Sequence, residues 1–215
     1  TGEDMIVKNI FHSLGIEKPS YIDVGAHDPF FLSNTAIFYK NGSNGVNIEP
    51  NPILFKRIAK HRKRDINLQI GIGASNEPLT FYVTDLSWSG TFSEKEVQAL
   101  QSVPKAYRQK VIKKIPVEVR TLKFVIEKYC GGVFPDFLSL DTEGLDTTIL
   151  NELHELSSLP KVICTELNDT STSSESIGTV KQGREILEPL GYTLVMKTIV
   201  NAIFVRKDLW TAAMN

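Results

Sequence analysis

The chain has 215 residues, with 24 Lys and Arg against 25 Asp and Glu, a formal net charge of −1 and 41% hydrophobic residues. That balance gives electrostatics no case for a nucleic-acid partner or an anionic membrane surface, while the apolar content supplies a substantial core. The length suits one domain, 1–215; no apolar run approaches the roughly 18–20 residues that cross a bilayer, and no secretory leader opens the chain.

Strand and helix patterns alternate along most of the chain. Tyr21–Val24 reads as the first strand and runs into Gly25-Ala26-His27-Asp28-Pro29. Ser33 suits the N-cap of a short helix through Tyr39, stopped at Gly42. Gly45–Ile48 is the second strand and ends in Glu49, 24 residues after Gly25. Asn51 then caps a helix with Pro52 at its first position and Phe55, Ile58 and Ala59 inward. The basic run from Lys60 to Arg64 resembles a nucleic-acid patch in isolation, but cations at a helix C-terminus complement the helix dipole, and we adopt that reading.

Ile66–Ile72 is the predicted third strand, and Leu79–Val83 is extended after a turn at Ser75–Pro78. Residues 85–115 break the rhythm and read as an insertion. A loop at Asp85–Gly90 leads into an amphipathic, Lys/Arg-rich helix over Ser93–Ile115, either a lid over substrate or a helix packed on the side of the domain. Pro116–Val119 resumes a strand. Thr121 caps a helix with Leu122, Val125, Ile126 and Tyr129 inward, ended by Gly131-Gly132.

Phe137–Leu140 is the fourth core strand and ends in Asp141-Thr142-Glu143-Gly144. A helix follows with Ile149, Leu150 and Leu153 inward. Val162–Thr165 is the fifth strand, ending at Glu166; the Ser/Thr-rich segment 168–178 reads as a mobile loop, and a helix runs to about Leu190. Tyr192–Val200 and Ala202–Val205, joined tightly at Asn201, form a terminal antiparallel hairpin. The order predicts an α/β fold: a mostly parallel sheet, helices on both faces, closed by that hairpin. Cys130 and Cys164 have no framework or metal-ligand spacing; they read as buried thiols in a reducing, cytoplasmic compartment. The chain begins at Thr1, which reads as trimmed or cut from something longer.

A strand ending in a glycine turn, followed by a strand ending in an acid, is the layout of a nucleoside site. The glycine lets a ligand approach the backbone, and the acid accepts hydrogen bonds from ribose hydroxyls. Only the first of the three glycines of a dinucleotide turn is present, and Asp23 and Asp28 flank it. Two anions would repel a pyrophosphate. S-adenosylmethionine carries a sulfonium and an ammonium and no phosphate, so the loop suits it better than NAD. The alternative is an ordinary strand turn with no ligand.

Several segments together resemble the FkbM family of class I S-adenosylmethionine-dependent methyltransferases. They are Gly2-Glu3-Asp4, Tyr21–Pro29 with Ser33-Asn34-Thr35, Gly45–Pro52, Val117–Leu122, Asp136–Gly144 with Leu150, and Gly191-Tyr192 with Asn201–Val205. The chain departs from many members at His27 and Pro29, where they carry Asn and Gly. The resemblance implies a Rossmann-like fold with a seven-stranded sheet, and methyl transfer to a hydroxyl of a sugar-containing or small natural-product acceptor. A non-catalytic module that binds S-adenosylmethionine, or a scaffold, and a nucleotide-dependent oxidoreductase are the competing readings.

On this basis Gly25, Ala26, His27 and Pro50 would contact the cofactor, Asp23 its amino end, Glu49 its ribose, and Gly71 and Ile72 its adenine. Asp141 and Glu143, two apart at a strand end, are the candidates for general base and for orienting cofactor or acceptor; the bland alternative is that they cap the next helix. Trp88, Tyr107 and Glu166 are weaker acceptor-side candidates. No His stands at ligand spacing near Asp141, Glu143 and Glu166, so no metal site is assigned. Homo-oligomerisation is left open.

Overall fold

The computed structural model describes residues 2–74, 76–85, 90–92, 94, 97–98, 110–142, 144–167 and 178–214. In chain order the first half contains α1 (Glu3–Ser13), β1 (Tyr21–Val24), α2 (Ala36–Lys40), β2 (Gly45–Ile48), α3 (Pro52–His61), β3 (Ile66–Leu68), β4 (Gly71–Ile72), β5 (Leu79–Thr84) and β6 (Gly90–Thr91). Then follow β7 (Val111–Val117), β8 (Val119–Arg120), α4 (Leu122–Tyr129), β9 (Phe137–Leu140), α5 (Asp146–Glu152), a 3-10 turn at Leu153–Glu155, β10 (Val162–Glu166), α6 (Val180–Leu187), β11 (Tyr192–Lys197), β12 (Asn201–Arg206) and α7 (Lys207–Met214).

Seven strands form the main sheet in the order β11-β12-β10-β9-β1-β2-β3. The register of β1 pairs Ile22 with Val46 on one side and Leu138 on the other, both parallel. β12 runs antiparallel to β10 and β11, as the tight terminal hairpin requires. Strand side chains alternate between faces, and the core divides accordingly. On one face Tyr21, Phe137, Val162 and Cys164 pack with Val7, Ile10 and Phe11 of α1 and Phe38 of α2. On the other, Ile22, Leu138 and Ile163 pack with Leu122 and Val125 of α4, Ile149 and Leu150 of α5, and Leu187 of α6. Each such aliphatic side chain, fully buried, contributes about 1.5–3 kcal/mol.

Two of the expected N-caps hold. The Asn51 side chain accepts from the Ile53 amide, and the Thr121 side chain from the Phe124 amide. Gly131 and Gly132 end α4 with φ of 65° and 78°. Among the described residues no helix is long and apolar enough to cross a membrane, and Cys130 (half-buried) and Cys164 (buried) are free thiols.

Five expectations need correction. α2 starts at Ala36, with Thr35 rather than Ser33 at the N-cap position. The third strand is broken: Ile66–Leu68 joins the main sheet, while Gly71–Ile72 leaves it to pair with Val119–Arg120. The helix expected over Ser93–Ile115 ends early, because Val111–Val117 is a strand paired with β5. Pro116 cannot donate to a ladder, and it is tolerated because β7 is the edge of its three-stranded sheet. The hairpin turn is at residues 198–200, with Asn201 already in β12. Arg62, read with its neighbours as complementing the helix dipole, is 1% exposed and paired with Asp65 at 2.8 Å. Trp88, Tyr107, Glu143 and residues 168–177 of the Ser/Thr loop lie outside the described residues. The terminal helices α1 and α7 had no counterpart in the reading; Glu3 at the start of α1 is buried and accepts from the Thr198 hydroxyl at 2.8 Å.

Candidate functional site

Val24, Ile48 and Leu140 end three adjacent parallel strands at one edge of the sheet. Ligands bind outside the carboxyl ends of strands in such sheets, where connections leave in different directions. The loops leaving this edge line a cavity of about 550 Å³. Of the residues expected at the site, it brings together Asp23, Gly25, Ala26, His27, Glu49, Pro50, Gly71, Ile72 and Asp141. Glu166 ends β10 half-buried and is not among the lining residues.

Glu49 is the hinge of the arrangement. It is 5% exposed. One carboxylate oxygen accepts from the His27 amide at 2.9 Å and the other from the Asn51 amide at 2.8 Å, so one side chain ties the β1 loop to the start of α3. Burial pushes its pKa up to about 7, against the pull of those two N–H groups. Each oxygen keeps a lone pair for a further donor.

Gly25 has a second reason to be glycine besides ligand approach. Its φ is +78°, and a Cβ there would lie 1.8 Å from the main-chain oxygen of Asp141. The Gly25 and Ala26 amides both donate to the Ile48 carbonyl, at 3.0 and 3.1 Å, so their N–H groups already have a partner. Contact with a ligand there would use Cα and the carbonyls. His27 is held at φ +54° with its amide donating to Glu49, which fixes the loop at this point.

Asp23 is 4% exposed. Burial raises its pKa, and hydrogen bonds from Thr35 and Ser139, with the charge of Arg62, pull the other way. Asp28 is spoken for. It accepts from the amides of Phe30 and Phe31 and pairs with Arg57 at 2.6 Å. Burial would raise its pKa, but these donors outweigh it and hold the carboxyl below the usual range. Asp28 is therefore a structural anion of the loop, and Arg57 is neutralised beside it.

Part of the lining is apolar. Gly71 admits the ring of Phe92, which would stand 2.7 Å from a Cβ at 71. Ile70, Ile72, Phe81 and Leu145 also line the cavity. A cavity lined by both apolar side chains and carboxylates suits a ligand with an adenine ring and a cationic sulfonium and ammonium. The residues present therefore fit S-adenosylmethionine. Among the described residues no three His, Cys, Asp or Glu side chains are grouped to hold a metal.

Sequence reasoning missed Thr35, Ser139, Thr142, Asp146 and Arg62. Asp146 is buried and accepts from the Thr142 amide and hydroxyl and from the Thr165 hydroxyl, so it braces the segment that follows Asp141. In the sequence it is one acid in the first turn of a helix, where dipole compensation makes acids common.

The sequence profile of the methyltransferase FkbM domain matches residues 23–194. No curated protein matches the sequence. Among solved structures, monomeric WbdD superposes with a TM-score of 0.50 at 11% identity, over 95% of this chain and 40% of WbdD. The chain thus spans well under half of WbdD's length, and at that identity the likeness concerns the fold. A TehB-like methyltransferase from Corynebacterium glutamicum gives 0.47 at 9% identity, covering 96% and 88% of the two chains. A Burkholderia thailandensis 1,6-didemethyltoxoflavin N1-methyltransferase, solved with S-adenosylhomocysteine, gives 0.45 at 11% identity, covering 94% and 74%.

Proposed function

The chain belongs to the FkbM methyltransferase domain family, and from that premise we propose that it methylates a hydroxyl on a sugar-containing or small natural-product acceptor. The observation that carries this reading is Asp141, an exposed carboxylate in the cavity wall whose main chain abuts Gly25. A neutral alcohol is a poor nucleophile and must shed its proton as it attacks, so a base belongs on the acceptor side of the cofactor.

S-adenosylmethionine, when bound, supplies a methyl group on a sulfonium. The chain's residues do the rest. Asp23 and Glu49 bind and orient the cofactor, Asp141 takes the acceptor's hydroxyl proton, and Glu143 shares the acceptor side by the sequence argument. Holding the acceptor oxygen in line is worth up to about 7–11 kcal/mol. We take 1–215 as one methyltransferase domain with an insertion over 85–115, working in a reducing compartment such as the cytoplasm, which suits two free thiols.

The test is titration with S-adenosylmethionine, then methyl transfer from labelled cofactor to a panel of sugars and hydroxylated small molecules. Asp141→Asn should cut transfer about 10²–10⁴-fold and leave cofactor affinity nearly unchanged. Cofactor binding with no transfer to any acceptor would favour a non-catalytic binding or scaffold module and overturn the enzyme reading.

A further inference from the structure

Arg62 lies just beyond the last residue of α3 and points into the protein. A guanidinium taken out of water is costly unless its donors are met and its charge is paired. Here Nε donates to Asp65 at 2.8 Å, and Nη2 donates to the Tyr21 hydroxyl at 2.7 Å. Tyr21 in turn donates to Asp65, and the rings of Tyr39 and Tyr21 flank the guanidinium at 4.6 and 5.4 Å. Asp65 suffices to neutralise the charge. Two further donors reach elsewhere: Nη1 to the Pro29 carbonyl at 3.0 Å, and Nη2 to the Thr35 hydroxyl at 3.0 Å.

Those two contacts fall at the middle and at the far end of the loop, residues 25–35, that lines the cavity. Pro29 closes the turn that begins at Gly25, and Thr35 precedes α2. Arginine has no acceptor, so the Thr35 oxygen must accept from Nη2, and its one proton is left for Asp23 Oδ2 at 2.6 Å. The direction of the relay is fixed by chemistry: Arg62 to Thr35 to Asp23. We propose that Arg62 is a positioning residue for the cofactor, clamping the loop at Pro29 and Thr35 and orienting the Asp23 carboxylate at the cavity through Thr35. This rests on the reading that the cavity takes S-adenosylmethionine.

The groups acting on Asp23 set the pH behaviour. Thr35 on the α2 side, Arg62 after α3 and Ser139 on β9 favour its charged form; Asp65 opposes it, and Glu49 after β2 and Cys164 on β10 feel the Asp23 charge in turn. Removing the Thr35 hydroxyl takes away a group that favours the carboxylate, so the charged form is lost at a higher pH.

The test is calorimetric titration with S-adenosylmethionine between pH 5 and 9, using the full chain and variants confirmed folded by circular dichroism. Thr35→Val keeps the side-chain shape and leaves the Arg62–Asp65 pair intact. It should weaken binding about tenfold near pH 7.5, with the deficit growing as pH falls, and Thr35→Ser should restore it. Arg62→Lys keeps the charge but loses the fork, and should also weaken binding. A folded Thr35→Val protein with wild-type affinity and pH profile overturns the proposal. If that variant does not fold, Arg62→Lys decides: affinity within twofold of wild type overturns it. A wild-type protein that does not bind S-adenosylmethionine at all refutes the cofactor reading itself, and this inference with it.

Discussion

The main-chain oxygen of Asp141 occupies the space that a side chain on Gly25 would need. The two strand ends that carry the cofactor loop and the proposed base are thereby interlocked, with the Asp141 amide donating to the Val24 carbonyl at 3.0 Å. Gly25→Ala meets two penalties. The left-handed backbone costs about 1–2 kcal/mol, and a Cβ 1.8 Å from a main-chain atom cannot rotate away. We expect a loss of roughly 3 kcal/mol or more in urea denaturation and loss of measurable S-adenosylmethionine binding. An alanine variant of wild-type stability and affinity would show that β1 and β9 are not locked together.

Glu49 predicts a pH dependence with a definite sign. Its folded pKa is raised to about 7 by burial, from an ordinary 4.5. The native state therefore holds the proton in a range where the unfolded chain has lost it. That contribution is present at low pH and is lost as pH rises through about 7. From this group alone the free protein should be more stable at pH 5.5 than at pH 8, by up to about 2 kcal/mol. Glu152, also raised to about 7 by burial, adds in the same direction. Ribose hydroxyls donating to Glu49 would favour its charged form, so cofactor binding should release a proton near pH 6–7 and tighten toward pH 8. Calorimetry in buffers of different ionisation heat reads that proton directly; binding without proton release would remove Glu49 from the ribose role.

The acid at the end of β2 was legible because two local signals coincide, a glycine turn after one apolar run and a carboxylate closing the next. The mostly parallel sheet and its closing hairpin were legible because each strand is a short apolar run bounded by turn residues. Arg62 was not, because a basic run after a helix reads as dipole compensation. The signal was nonetheless present: Leu54, Ile58 and Arg62 are spaced by four, and Leu54 and Ile58 are the buried face of α3. The break between Leu68 and Gly71 left no mark, since both pieces are extended and only their partners differ. The strand at Val111–Val117 was misread from its lysines, although Pro116 argues against a helix interior.

Asn51 combines a satisfied cap with a stranded donor. Its side-chain oxygen accepts from the Ile53 amide at 3.0 Å, while its buried Nδ2 has no hydrogen-bond partner among the described residues. Asn51→Ala should cost about 1 kcal/mol through the lost cap. Asn51→Ser keeps an acceptor and removes the stranded amide, so its thermal unfolding should stay close to wild type. Equal destabilisation by Ala and Ser would mean the Nδ2 group matters more than the cap.

Asp146 separates support of the base from support of the cofactor. Its Oδ2 accepts from the Thr142 amide at 3.2 Å and hydroxyl at 2.6 Å, and its Oδ1 from the Thr165 hydroxyl at 3.1 Å. Asn at 146 presents an amide to one of these donors and leaves it unmet in the interior, which costs about 1–3 kcal/mol. The strain falls on the segment directly after Asp141, whereas Glu49 and Asp23 sit on β1, β2 and their loops and keep their own hydrogen bonds. Asp146→Asn should therefore lower kcat several-fold while the KM for S-adenosylmethionine stays near its wild-type value. A matching fall in cofactor affinity would instead mean that the Asp141–Asp146 turn belongs to the cofactor site as much as to the acceptor side.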